Sequence, residues 1–248
     1  MPDYDYRTQR LFVDDALTDQ GTLPLSREAS HYLVTVLRFS EGDAVLVFNG
    51  KDGEWLGKMT KADRKAATLT LVRQTRPQPE PTDIDYLFAP IKTGRLDYLV
   101  QKAVEMGASR LTPVITRHTQ FSRLNAERMQ ANMVEAAEQC GVLHVPELTP
   151  EIKLDALLAQ WPATRTLIFC DERADIPNPV AALQATKPGP LAVLIGPEGG
   201  FSAEEREIIL KIPSVTRLSL GPRILRADTA GIAALALVQA ILGDWRMN

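Results

Sequence analysis

The apolar positions in the first third of the chain occur in short runs separated by polar and glycine-containing segments. This pattern predicts several short strands, interrupted by a helix at about residues 26–37. Residues 49–53 separate two of the runs and are typical of a hairpin loop. The predicted strands cover residues 11–13, 44–48, 55–60 and 67–72. Together these elements predict a small β-barrel.

From residue 84 onward, strand-like apolar runs alternate with helical patterns. One helical stripe that ends at Gly107 consists of Leu96, Leu99, Val100, Ala103 and Val104. A second helix is predicted at residues 127–139, and strands are predicted at residues 84–89, 111–115, 166–170, 191–195 and 215–220. This alternation predicts an α/β fold with a parallel sheet and helices on both faces. In such sheets, ligands bind beyond the carboxyl ends of the strands.

Alternating prolines divide the two patterns. Pro77, Pro79 and Pro81 predict a stiff, extended connector. The sequence therefore predicts a barrel domain at residues 1–74, a linker at residues 75–82 and a second domain at residues 83–248.

Two glycine-containing loops carry the chemistry. In the first, residues 191–195 form an apolar run that breaks at Gly196, Gly199 and Gly200. Ser202 and Glu205 form a capping box, so a helix is predicted to begin near Ala203. No Lys-Ser/Thr pair follows the glycines, as a phosphate-binding P-loop requires, and the dinucleotide glycine spacing is absent. A neutral or cationic ligand is favoured over a phosphate, although a simple tight turn remains an alternative.

The second loop follows the last predicted strand. Gly221 and Pro222 break the strand, and two arginines, Arg223 and Arg226, flank an apolar pair. Asp228 or Thr229 is predicted to cap a helix that runs to about residue 242 and is apolar nearly all round. Such a helix is buried in its own core or against a partner subunit. The arginines are either surface side chains near the cap or face an anionic substrate.

The two loops resemble a known family. Residues 196–202 read G-P-E-G-G-F-S and residues 220–230 read L-G-P-R-I-L-R-A-D-T-A, which is similar to the SPOUT methyltransferases of the RsmE family. Residues 10–13, 31–38, 92–107 and 135–140 are similar to other segments of that family. Asp228 departs from the pattern, because the family usually carries Glu there.

The resemblance implies a fold and an activity. It implies a SPOUT-type parallel sheet with a C-terminal trefoil knot, preceded by a PUA-like RNA-binding barrel. The implied activity is methylation by S-adenosylmethionine of N3 of a uridine, at position 1498 of 16S ribosomal RNA in the 30S subunit. It also implies a homodimer that pairs through the second domain.

The resemblance also implies site residues. The chemistry of the implied reaction, in which negative charge develops on the uracil, predicts that Arg226 or Arg223 stabilises this charge. It also predicts that Glu198 takes the proton or orients the cofactor. A loop around residues 170–172 adds a third wall to the pocket. The implied cofactor-binding residues are Ile195, Gly196, Gly199, Gly200, Leu218, Leu220, Gly221, Ile224 and Leu225. The implied RNA-binding residues are Arg10, Arg38, Lys92 and Arg95.

Composition changes this picture only slightly. The net charge of −3 is mild evidence against an RNA partner, but a local basic cluster is sufficient for phosphate binding. Two basic clusters are candidates, each with an ordinary solvated face as its alternative. One consists of Lys58, Lys61, Arg64, Lys65, Arg73 and Arg76, and the other of Lys92, Arg95, Lys102, Arg110, Arg117 and Arg123. Two cysteines suggest a reducing cytoplasm, and three scattered histidines give no metal-binding spacing. We expect neither a metal nor a membrane-spanning segment.

Other functions remain open at this stage. One is a different SPOUT activity, such as ribose 2′-O-methylation of transfer RNA. A second is a non-catalytic RNA-binding module. A third is a nucleotide-dependent phosphotransferase, which would need an acidic metal-ligand pattern that the sequence lacks.

Overall fold

A computed structural model describes residue 5 and residues 7–120, 124–174 and 178–247. The chain divides into two compact units. Unit 1 comprises residues 1–80 together with residues 137–145, and unit 2 comprises residues 81–136 and 146–248. The predicted boundary at residues 75–82 does not account for residues 137–145, which belong to unit 1 although they follow the boundary in the chain.

Unit 1 is built on a mixed five-stranded sheet. The strands are β1 (Arg10–Phe12), β2 (Thr22–Pro24), β3 (Ala44–Phe48), β4 (Glu54–Lys61) and β5 (Thr68–Arg76). Their order in the sheet is β1-β3-β4-β5-β2; β1 and β3 are parallel and the other pairs are antiparallel. A short helix α1 (Arg27–His31) continues into a π-helical turn (Tyr32–Val36).

The core of unit 1 lies between this sheet and the helical segment. Leu33, Val45, Met59 and Leu69 are among its fully buried side chains. These residues come from the predicted strands and the predicted helix, so the hydrophobic pattern located the core correctly. The strand β5 extends to Arg76, into the segment predicted as linker.

An ion-pair cluster buried in unit 1 corrects one prediction. The Arg10 Nε donates to a Glu54 Oε2 at 3.0 Å, and the Arg76 guanidinium binds the same carboxylate. Burial raises the pKa of Glu54, but hydrogen bonds from Arg76 and Thr75 outweigh that effect and lower it. The side chain of Arg10 is only 7% exposed. Its role is therefore structural, and the expectation that Arg10 contacts RNA is not supported by this geometry.

Unit 2 is an α/β unit in which every paired strand is parallel. The strands are β6 (Ile84–Phe88), β7 (Arg110–Ile115), β8 (Glu147–Leu148), β9 (Ile152–Lys153), β10 (Thr166–Cys170), β11 (Leu191–Ile195) and β12 (Val215–Leu218). Their main order in the sheet is β12-β10-β11-β6-β7-β8, and β9 also pairs with β7. This architecture confirms the predicted parallel sheet; the trefoil knot stays a prediction.

Over the residues that the structure describes, six helices pack on this sheet or follow it in the chain. They are α2 (Thr93–Glu105), α3 (Ala126–Cys140), α4 (Leu154–Ala159), α5 (Pro179–Gln184), α6 (Ala203–Leu210) and α7 (Ala227–Ile241), followed by a 3-10 turn (Asp244–Met247). The helix α7 contacts α2 and α5, and α4 contacts α6, as expected for a sheet covered on both faces. The helix α3 ends in the segment assigned to unit 1.

Strands β6, β10 and β11 are almost completely buried, because helices cover both faces. The helix α2 ends as predicted, with Gly107 in the left-handed region at φ +75°. The buried Gln239 of α7 donates to the Met106 carbonyl oxygen at 2.8 Å, which ties α7 to the end of α2. In the described part of the chain, no helix is both long and apolar enough to cross a bilayer.

Candidate functional site

A cavity of about 280 Å³ opens at the carboxyl ends of three adjacent strands of unit 2. The strands β11, β10 and β12 are neighbours in the sheet, so the loops that follow them meet at one edge. Three loops supply most of the wall: residues 169–173, residues 195–198 with 200–201, and residues 218–225. Both motif loops and the predicted third loop thus surround one cavity, at the position expected for a ligand site in a parallel sheet.

The loop after β11 is shaped by its glycines. A Cβ atom at Gly196 would lie 2.6 Å from the ring of Phe201, so no side chain can be added there without moving that ring. Gly200 adopts φ +66°, and its amide donates to the Pro197 carbonyl oxygen at 2.9 Å. The Phe201 ring packs edge-on against Phe169, with 5.3 Å between ring centroids. The loop therefore presents main-chain groups to the cavity.

The capping box predicted after this loop is present. The Ser202 Oγ accepts from the Glu205 amide at 3.1 Å, and the Glu205 carboxylate accepts from the Ser202 amide at 2.9 Å. The helix α6 begins at Ala203, as predicted. Because the Ser202 hydroxyl occupies an amide of the first turn, this helix end is less available to a phosphate.

The loop after β12 differs from the prediction at its end. The helix α7 begins at Ala227, and Arg226 is its N-cap residue without a side-chain cap. The predicted cap at Asp228 or Thr229 is therefore wrong, because both residues lie inside the first turn. The Asp228 Oδ1 accepts from the Thr229 amide at 2.7 Å, where a carboxylate also interacts favourably with the helix dipole.

The third wall is organised by Asp171, whose side chain is only 2% exposed. Its carboxylate accepts from Arg206 of α6, from Arg217 of β12 and from the Arg173 amide, at 3.0–3.2 Å. Burial raises the pKa of Asp171, but the hydrogen bonds from Arg206, the Arg173 amide and Arg217 outweigh it and lower the pKa. Asp171 is therefore ionised, and its carboxylate links the loop after β10 to α6 and to β12.

Two further contacts near the cavity were not predicted. The His118 Nδ1 lies 3.1 Å from the carbonyl oxygens of both Gly199 and Gly200. Arg95 pairs with Glu198 and with Asp228. The sequence offered only one signal for the Asp171 bridge, an acidic residue directly after an apolar strand, and none for these two contacts.

All of the predicted cofactor-binding residues except Gly199 line the cavity. Gly199 faces His118 and is not part of the cavity wall among the described residues. The cavity wall includes Ile195, Gly196, Gly200, Leu218, Leu220, Gly221, Ile224 and Leu225.

Among the predicted catalytic residues, Glu198 and Arg223 line the cavity, whereas Arg226 is exposed just outside it. Among the predicted RNA-binding residues, Arg38 and Lys92 are exposed and Arg95 is ion-paired.

Cys170, a partly exposed residue of the cavity wall, has a chemically quiet thiol. Burial raises the pKa of Cys170 to about 12, so the thiol keeps its proton at neutral pH. Within the ranges that the structure describes, no group of three or more His, Cys, Asp or Glu residues is placed to hold a metal ion.

Family comparison agrees with this architecture. A family model described as "RNA methyltransferase domain" matches residues 78–239, and one described as "RNA methyltransferase PUA domain" matches residues 25–72. A protein from Synechocystis named ribosomal RNA small subunit methyltransferase E is 31% identical over 94% of this chain and 78% of its own length. A protein of the same name from Rickettsia conorii is 28% identical over 94% of this chain and 95% of its own length.

The chain belongs to the ribosomal RNA small subunit methyltransferase E family. The predicted class of enzyme, an RNA methyltransferase, is thereby confirmed. The family resemblance seen in the two motif loops extends over both units, because one family model matches residues 25–72 and the other begins at residue 78, within the predicted linker, and continues to residue 239.

Two solved structures of similar proteins match nearly the whole chain. A ribosomal RNA small subunit methyltransferase E from Neisseria gonorrhoeae, bound to S-adenosyl methionine, has a TM-score of 0.83 at 25% identity and covers 96% of this chain and 100% of its own. A putative methyltransferase from Legionella pneumophila, in complex with the cofactor SAM, has a TM-score of 0.83 at 30% identity and covers 96% of this chain and 99% of its own.

The positive φ of Gly200 in the loop after β11 can be tested by one substitution. Gly200→Ala should lower the free energy of unfolding by about 1–2 kcal/mol, because an alanine is strained at positive φ. Its Cβ would also lie 2.9 Å from the Glu172 Oε1. Gly94→Ala, in the first turn of α2 with open space around its Cβ, is the matched control and should be neutral or slightly stabilising. Urea unfolding of both variants makes the comparison, and equal stability of Gly200→Ala and wild type would contradict the loop geometry.

Proposed function

We propose that this protein transfers a methyl group from S-adenosylmethionine to N3 of a uridine in 16S ribosomal RNA of the small subunit, at position 1498. The observation that carries the proposal is the cavity between the two motif loops, in a chain that is similar over nearly its full length to two proteins solved with this cofactor. The family name of the curated relatives supports the small-subunit RNA as substrate.

The residues of the cavity suit this cofactor. S-adenosylmethionine supplies a methyl group on a positively charged sulfur and carries no phosphate. The glycine loop presents backbone groups and no P-loop lysine, and Glu172 and Glu198 place carboxylates at the wall. In the proposal, main-chain groups of residues 195–198, 200 and 218–225, which line the cavity, hold the adenosine portion, and Gly199 supports this loop through the contact of its carbonyl oxygen with His118.

The chain's own side chains then act on the base. Uracil N3 carries a proton at neutral pH, so the proton must leave and negative charge develops on the ring. Arg223 at the cavity wall and Arg226 beside it are placed to stabilise that charge. Glu198 lines the cavity and is the proposed proton acceptor or orienting carboxylate. Alignment of the two reactants supplies much of the remaining rate.

Unit 1 is the proposed RNA-binding unit. Its match to the PUA family model and the exposed Arg38 support that assignment. In unit 2, the exposed Lys92 is a proposed phosphate contact. This substrate also implies a cytoplasmic protein, which cell fractionation can test.

The experiment that tests the function measures cofactor binding and maps the product. Wild-type protein should bind S-adenosylmethionine in calorimetry and methylate small subunits isolated from a strain lacking the enzyme. Mass spectrometry of the RNA should then find N3-methyluridine at one position. A ribose 2′-O-methyl product would assign a different methyltransferase activity. Tight binding of ATP with no binding of the methyl donor would overturn the proposal.

Substitution of Arg226 separates catalysis from cofactor binding. Because Arg226 lies outside the cavity wall, Arg226→Ala should lower kcat about 10²-fold while the Kd for S-adenosylmethionine stays within about twofold. Lys187→Ala removes an exposed cation elsewhere in unit 2 and serves as the control, with no expected effect on either constant. Equal losses in kcat and in cofactor affinity would instead place Arg226 in the cofactor site.

We further propose that the protein is a homodimer formed through unit 2. The helix α7 carries an apolar stripe that is only partly covered, consisting of Ile232, Ala233, Ala236, Leu237 and Ala240. The side chain of Trp245, just after this helix, is 48% exposed. A second copy of the chain is the proposed cover for these apolar groups.

The oligomeric state has a direct test. Sedimentation equilibrium at micromolar concentration should give the mass of two chains, and Leu237→Lys should shift the protein toward monomer because it places a charge in the stripe. Lys211→Ala, an exposed change elsewhere in unit 2, should leave the mass unchanged. A stable wild-type monomer at this concentration would contradict the proposal.

A further inference from the structure

One arginine contacts the first motif loop of unit 2 and the start of the helix that follows the second. Arg95 lies in the first turn of α2, and its Nη1 is 2.8 Å from the Glu198 Oε1 on the loop after β11. Its Nε is 3.3 Å from the Asp228 Oδ2 in the first turn of α7. The two carboxylates belong to segments 30 positions apart in the chain, and a single guanidinium joins them.

Both contacts are adjacent to the cavity. Glu198 is itself part of the cavity wall, and Ala227 and Ala230, which flank Asp228 in the first turn of α7, are also part of it. A change in the position of either carboxylate therefore moves a segment that lines the cavity. Arg95 connects the two sides of the wall without being part of the wall itself.

The same contacts argue against a phosphate-binding role for Arg95. Two of its three guanidinium nitrogens are already paired with carboxylates, and its side chain is 31% exposed. Lys92, three residues earlier in the chain, is exposed. The prediction that Arg95 binds RNA is thus replaced by an interaction with the two loops.

The ion pairs of Arg95 affect the geometry of the site more than the stability of the fold. Glu198 is 48% exposed, and ion pairs at that level of exposure contribute little to global stability. A planar guanidinium nevertheless fixes the directions of two acceptors at once, which the single ammonium of lysine cannot do from one point. Loss of Arg95 should therefore relax the spacing of the two loops more than it destabilises the fold.

We propose that Arg95 is a positioning residue, whose bridge between Glu198 and Asp228 sets the separation of the two loops that bind the methyl donor. This inference rests on the proposed use of S-adenosylmethionine. The affinity for the cofactor therefore depends on Arg95, whereas the affinity for RNA does not. The bridge also gives Asp228 a role, because its shorter side chain still reaches the Arg95 Nε.

The test compares cofactor affinity with the KM for RNA. Arg95→Ala should raise the Kd for S-adenosylmethionine about tenfold or more, with the KM for small-subunit RNA within about twofold of wild type. Arg95→Lys should be impaired as well, because one ammonium cannot bridge both carboxylates. Arg128→Ala removes another arginine paired with a carboxylate of α2, Asp97, and should leave cofactor affinity unchanged.

A double-mutant cycle isolates the bridge from a general loss of folding. Asp228→Asn alone should also weaken cofactor binding, and adding Arg95→Ala to it should weaken binding less than the sum of the two single effects. Urea unfolding midpoints of all variants report on the fold. Additive effects, unchanged cofactor affinity in Arg95→Ala, or a raised KM for RNA with normal cofactor affinity would each overturn the inference. Failure of wild type to bind the cofactor would instead overturn the proposed function.

Discussion

The shape of the cavity depends on the buried carboxylate of Asp171, whose negative charge must be balanced by positively charged side chains. Asp171 is nearly inaccessible to water, and an isolated charge in that position would be strongly destabilising. Its pairing with Arg206 and Arg217 satisfies the charge and at the same time joins the end of β10 to α6 and β12. Because α6 follows one motif loop and β12 precedes the other, this bridge holds the backbone from which both loops depart. The two glycine-containing loops therefore start from a defined position, although glycine itself restricts the backbone little.

Local features of the site could be predicted because their signals are local. The Ser202–Glu205 capping box involves residues three positions apart, and Gly107 ends α2 through its own backbone conformation. The parallel sheet was also predictable, since buried strands between helical stripes have few other arrangements. Together these features placed the two loops at one edge of a sheet, and the cavity lies there.

Long-range contacts could not be predicted in the same way. The Arg95–Glu198 pair joins residues 103 positions apart, and the contact of His118 with Gly199 joins residues 81 positions apart. Arg10 was expected at an RNA surface because of a family motif, but Glu54 is 44 positions away and its carboxylate draws Arg10 into the interior of unit 1. The predicted start of α7 is wrong because Asp228, a residue type that favours the N-cap, lies in the first turn of this helix. Its carboxylate pairs instead with a residue on a different helix.

The return of the chain to unit 1 affects how the protein can be divided. A fragment ending at residue 80 would lack residues 137–145. It would therefore lose the Gly141 carbonyl oxygen, which accepts from the Arg76 guanidinium at 3.0 Å, and the Glu138 carboxylate, which accepts from the Phe12 amide at 2.8 Å. The N-terminal unit is thus discontinuous along the chain, and genetic truncation at the proline-rich segment would remove part of it.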